Sequence, residues 1–160
     1  MFLQKNNAPF IRQSHLYIQR NGDKAIVAST YNHGGMFAEK PRGAVSCDAS
    51  CIESLGKWIK QKVKECEYKE EFDYSGAKKS DWPSFKESGL NTIKTFESGF
   101  VSYIVRGANE SNIIWQISSP SLPNGVELHS TISSTEDGDE IGSWVNDFHE
   151  FFLKVESVEF

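Results

Sequence analysis

Histidines, cysteines and clustered carboxylates are the residues of this chain whose types could do chemistry. His33-Gly34-Gly35 has the form of a loop whose backbone N–H groups serve an oxyanion, with an imidazole beside them. The Gly-x-Ser-x-Gly elbow that would carry a matching nucleophile is missing. His149-Glu150 lacks the His-Glu-x-x-His spacing that sets two imidazoles on one helix face around zinc, and His129 falls in a strand-like run. No nucleophile, base and orienting group can be assembled from these residues. The expectation is a chain without catalysis. A small hydrolase or nuclease using His33 with another histidine is the alternative.

Cys47 and Cys51 are four apart and would suit half a metal site, but only Cys66 remains to complete it. An odd cysteine count without framework spacing argues against a disulfide scaffold. Cys51 and Cys66 read instead as small residues of a helix core. No metal or other cofactor is expected. The densest carboxylates are Glu70-Glu71-x-Asp73 and Glu136-Asp137-x-Asp139-Glu140, and neither follows the calcium-loop pattern. The second group stands where a helix should begin and suits the positive end of its dipole. The first has no such duty and is interleaved with Tyr68, Phe72 and Tyr74 across a polar stretch, residues 67–79, that reads as an exposed contact loop. Trp82, before Pro83, reads as closing a core edge or anchoring an interface. The candidate partner-binding residues are therefore Glu70, Glu71, Asp73, Tyr74, Trp82, Asp137 and Asp139.

The elements that must position them follow from periodicity. Residues 15–20 and 24–30 flank Asn21-Gly22-Asp23 and predict a hairpin. Residues 31–47, with Gly34, Gly35, Pro41 and Gly43 and little alternation, read as a long loop. A helix is expected from Asp48 or Ser50, with Ile52, Leu55, Ile59, Val63 and Cys66 on one face. Asp81 and Pro83 mark a short helix start. Strands are expected at 92–97, 100–107, 112–118 and 125–132, joined by short connections that favour antiparallel neighbours. A last helix carries Ile141, Trp144, Val145, Phe148, Phe151, Phe152 and Val155 on one face. The sum is one α+β domain over residues 1–160, a single antiparallel sheet with helices packed mainly on one face.

Composition agrees with this. The chain has 160 residues, 38% hydrophobic and 24% charged, with eleven Phe, five Tyr and four Trp to fill a core. No apolar run reaches the length of a membrane span, and the first residues lack a signal-peptide core, so a cytoplasmic protein with no membrane contact is expected. The net charge of −5 opposes direct nucleic-acid binding and suits a basic partner.

Three segments carry a family likeness: Ser54-Leu55-Gly56-Lys57-Trp58-Ile59, Trp82-Pro83-Ser84-Phe85, and Lys94-Thr95-Phe96-Glu97-Ser98-Gly99, the last within the run Ser88 to Val105. Over roughly residues 50 to 120 the chain resembles the immunity proteins of contact-dependent growth inhibition. The resemblance implies a cytoplasmic inhibitor of one cognate toxin domain, usually a nuclease; a monomer is favoured, with the oligomeric state left open. For some relatives the resemblance also implies a toxin hairpin added to the sheet; acidic loops here would then steer a basic toxin and cover its active site.

Overall fold

A computed structural model describes residues 11–71, 78–107, 114–133 and 138–158. The hairpin forms as expected. β1 (Arg12–Gln19) pairs antiparallel with β2 (Lys24–His33), and Gly22 takes the positive φ, 80°, that the turn needs. β2 then runs past residue 30 and turns back at once into β3 (Met36–Asp48). Residues 31–47 are thus strand rather than a long loop. Gly34 and Gly35 have φ of 59° and 93°, as a two-residue hairpin turn requires, with His33 opposite Met36. Alternation is missing because β3 is an edge strand, half-exposed over most of its length. It also arches: Thr30 pairs with Glu39 and Ala28 with Ala44, so Lys40 to Gly43 stand opposite Ser29 alone.

α1 (Ile52–Lys64) buries Leu55, Gly56, Ile59, Lys62 and Val63. Its N-cap is Cys51, which is exposed and makes no side-chain cap. Cys51 therefore does not join the core. Asp48 instead accepts from the Ser50 amide and hydroxyl, shaping the turn before the helix. Cys66 is buried and accepts a hydrogen bond from the Thr30 hydroxyl. β4 (Glu67–Tyr68) adds a two-residue parallel pair to β2. A 3₁₀ turn (Lys79–Asp81) leads to α2 (Pro83–Ser88) and α3 (Ile93–Gly99).

The expected strand at 92–97 is this helix α3. Thr92 caps it by accepting from the Thr95 amide at 3.1 Å, and Ile93 and Phe96, three apart, share one face against the sheet. β5 (Phe100–Gly107) follows directly, then β6 (Ile114–Ser118), β7 (His129–Ser133) and α4 (Gly138–Glu156). Residues 125–128, expected to be strand, precede β7. Residues 112 and 113 of the expected third strand lie outside the described residues.

Among the described residues the sheet has seven strands in the order β3-β2-β1-β5-β6-β7, antiparallel throughout this path, with β4 on the inner side of β2. The fold is α+β. One face, with Leu16, Ile18, Val27, Tyr103, Val105 and Ile117, is covered by Leu55 and Ile59 of α1 and by Ile141, Val145, Phe148 and Phe152 of α4. Phe151, expected on this face, is 55% exposed. The other face carries a smaller cluster in which Tyr17 and Ile26 meet Phe85 of α2, Phe96 of α3 and Phe100. The Phe96 ring is 5.1 Å from Tyr17, 5.8 Å from Phe85 and 5.3 Å from Phe100. The two long helices thus cover one face fully, and two short helices cover part of the other.

Candidate functional site

The incomplete cover on the second face leaves an open groove of about 960 Å³. β1 supplies His15 and Tyr17 to its floor, two apart and so on one side of the strand. β5 supplies Ser102 and Ile104, their register partners. The arch of β3 supplies Glu39, Pro41 and Arg42, and the start of α2 supplies Asp81, Trp82, Pro83 and Lys86.

Glu39 organises this site. Its side chain is only 4% exposed. One oxygen accepts from the Ser84 amide at 2.9 Å. The other accepts from the Tyr17 hydroxyl at 2.6 Å, the Ser84 hydroxyl at 3.0 Å and His15 Nδ1 at 2.9 Å. The carboxylate therefore caps α2 from another element and ties it to β1 and β3. Burial pushes the Glu39 carboxyl up, but the hydrogen bond and charge of His15, with the bonds from Tyr17 and Ser84, outweigh it and hold the group below the usual carboxylate range. Burial and the Glu39 charge push the Tyr17 phenol well up, which keeps it a donor.

The same bonds set what His15 can do. An ionised carboxylate only accepts, so Nδ1 must carry the proton it donates, and Nε2 is the remaining edge of the ring. Among the described residues Nε2 has no partner, and it is not closed off from solvent. A carboxylate-held imidazole in an open groove can exchange a proton or bind a polar group. No second imidazole stands with it. His33 donates from Nδ1 to the Lys69 carbonyl at 2.7 Å, tying the glycine turn to the chain after β4. His129 is exposed beside Ser118 and Glu127. His149 is buried against the Tyr103 hydroxyl at 2.6 Å, and burial pushes its pKa down. Burial, with the charges of Asp48 and Cys51, pushes the Cys47 thiol up to about 11, so it is a poor nucleophile.

The residues singled out from sequence do not form one patch. Trp82 is 39% exposed at the groove, so it does not close a core edge; Phe85 does. Asp81 ends the 3₁₀ turn, and Trp82 takes the N-cap position of α2. Glu70 and Glu71 are exposed beyond β4. Asp139 is exposed in the first turn of α4, on the opposite face of the sheet from Trp82. Asp73, Tyr74 and Asp137 lie outside the described residues. Sequence reasoning missed His15 and Glu39, 24 positions apart in no motif. The available signal was His15-x-Tyr17 on a strand whose other side, Leu16 and Ile18, is also apolar.

No protein-family model and no curated protein matches this chain. Among solved structures it is similar to a protein of unknown function from Neisseria meningitidis, with a TM-score of 0.58 and 13% sequence identity over 91% of this chain and 96% of that one. That likeness concerns the fold.

Proposed function

We propose that the chain is an immunity protein of the contact-dependent growth inhibition type, a binder that occupies a cognate toxin domain and blocks its active site. The observation that carries this reading is where the family-like segments lie. Trp82-Pro83-Ser84-Phe85 and Lys94 to Gly99 belong to the successive short helices α2 and α3, where Phe85 and Phe96 pack together while Trp82 and Pro83 line the groove. Two of the three segments thus meet at one surface, where an exposed Trp offers the large flat contact that dominates protein interfaces, while Ser54 to Ile59 lies in α1 on the other face. The protein acts in the cytoplasm as a monomer and takes a basic nuclease domain as its partner, steered by Glu70, Glu71, Asp73 and the acidic start of α4, Asp137 and Asp139. Tyr74 belongs to the same proposed contact. Among the described residues no helix is long and apolar enough to cross a membrane.

Strand addition would use β7. Its outer side has no neighbour among the described residues, whereas β3 is blunted by its arch and Pro41. The deciding experiment co-expresses this chain with the C-terminal domain of a large secreted protein encoded beside it. Rescue of growth and a stable 1:1 complex support the proposal. Continued toxicity with no complex rejects it.

One observation favours a second reading. The Glu39–His15 pair in the groove suits a general base, so a hydrolase would use His15 and not His33. Against it, the Ser84 hydroxyl donates to Glu39 rather than to the imidazole, and so is not activated as a nucleophile.

A further inference from the structure

We infer that the groove is also a binding site for a small anion carrying a flat ring, of the nucleoside-phosphate class. This inference does not rest on the toxin-binding proposal. The first observation is charge. Arg42, Lys78 and Lys86 line the groove, and among the described residues their side chains make no ion pair or hydrogen bond. Against them stand Asp81 and Glu87, and Glu87 already accepts from the Ser46 hydroxyl at 3.2 Å. The Glu39 charge is engaged by its own four donors. The net charge of −5 does not decide the matter, because salt screens exposed charges beyond about 8 Å and the three cations are local to the groove.

The second observation is backbone conformation. Arg42 has φ of 59°, and among the described residues it is the one non-glycine residue with positive φ. That conformation costs an ordinary side chain about 1–2 kcal/mol. Glycine would remove the cost, yet an arginine stands there, on the groove wall. Third, Phe37 and the exposed Trp82, whose ring has Lys79 Nζ 5.8 Å from its centroid, bring aromatic rings to the same space. The volume, about 960 Å³, falls within the range of small-molecule sites. The Nε2 edge of His15 adds a directional polar contact on the floor. Rings for a base, cations for a phosphate and an imidazole edge together match a phosphorylated nucleoside better than either part alone.

The test is calorimetric titration of the full chain with adenosine monophosphate, adenosine and inorganic phosphate. The monophosphate should bind one site saturably, and each fragment at least about tenfold more weakly. Arg42→Gly removes the cation in a backbone conformation that glycine prefers, and Lys86→Gln removes another from an exposed position. Each should weaken monophosphate binding by about tenfold, with the urea midpoint unchanged or raised. No binding at millimolar ligand overturns the inference, as does equal affinity in both variants or equal affinity for phosphate alone. A toxin domain that binds the chain while the monophosphate does not would reject this site and leave the immunity proposal standing.

Discussion

Removing the Glu39 side chain strands donors that have nowhere else to go. Tyr17 is 6% exposed and Ser84 is fully buried, so in Glu39→Ala neither the phenol, nor the Ser84 hydroxyl, nor the first-turn amide of α2 reaches bulk water freely. Each orphaned buried donor costs about 1–3 kcal/mol. His15, partly exposed, can turn to solvent and recovers most of its loss. Because the loosened start of α2 relaxes towards water, the sum is less than three full penalties, and about 3–4 kcal/mol is expected. Glu39→Gln keeps one oxygen for the Ser84 amide but turns an NH₂ towards the phenol and imidazole, and should cost about 1–2 kcal/mol. Urea unfolding at pH 7, read by circular dichroism with the slope unchanged, measures both.

The pH dependence gives an independent check. The folded carboxyl titrates below its ordinary value of 4.5. Its contribution is therefore full above that value and is lost as pH falls through the lower folded value. Wild type should lose stability steadily below about pH 5, and Glu39→Gln should be flatter over the same window. A cost below about 1 kcal/mol for Glu39→Ala, or identical acid profiles for wild type and Gln, would refute the claim that this carboxylate holds α2 to the sheet.

Further outcomes are expected elsewhere. Gly142 of α4 lies against the Ile52 carbonyl at the start of α1, closer than any Cβ could approach, so Gly142→Ala should force the helices apart and cost about 1–3 kcal/mol in urea unfolding. The pKa of His149 is depressed by burial, so its contribution holds above its ordinary value of 6.5 and is lost as pH falls; melting temperature should drop from pH 7 to 5.5, and less so in His149→Gln. Trp82→Ala should weaken toxin binding by about 2 kcal/mol and change stability by under about 1 kcal/mol, since the side chain is 39% exposed; calorimetric titration and a thermal melt separate the two. Replacing Glu70, Glu71 and Asp139 by their amides should slow toxin association at low salt in surface plasmon resonance, with dissociation little changed.

What could be read in advance depended on how one-sided each element is. α4 and α1 each bury one face against the sheet, so their helical spacing was plain in the order of apolar residues. The Asn21-Gly22 hairpin needed only local turn chemistry. α3 was misread because seven residues hold too few turns to separate helix from strand, and Thr, Ile and Phe favour strands when nothing else is known. Its identity is fixed by packing, through Phe96 among Tyr17, Phe85 and Phe100. β3 was hidden for the opposite reason: half-exposed on both sides and arched at Lys40 to Gly43, it shows no period at all. The site was the least visible part. Of its residues only Trp82 stood out as a type, because His15 and Glu39 become neighbours only once β1, β2 and β3 are in register.

That register links the stability of the edge and the shape of the groove in one place. The arch on β3 puts four residues opposite one on β2, spoiling this edge for strand pairing while making the groove wall from Pro41 and Arg42. Glu39, at the foot of the arch, is turned onto His15 and Tyr17, where it also caps α2 and so holds Trp82 at the rim. A regular β3 would remove the groove and the cap together. The left-handed Arg42 is a cost that a regular edge strand would avoid. That cost on one wall of an open groove, beside an exposed Trp and unpaired cations, is the feature that the proposed ligand or partner would account for and the fold alone does not.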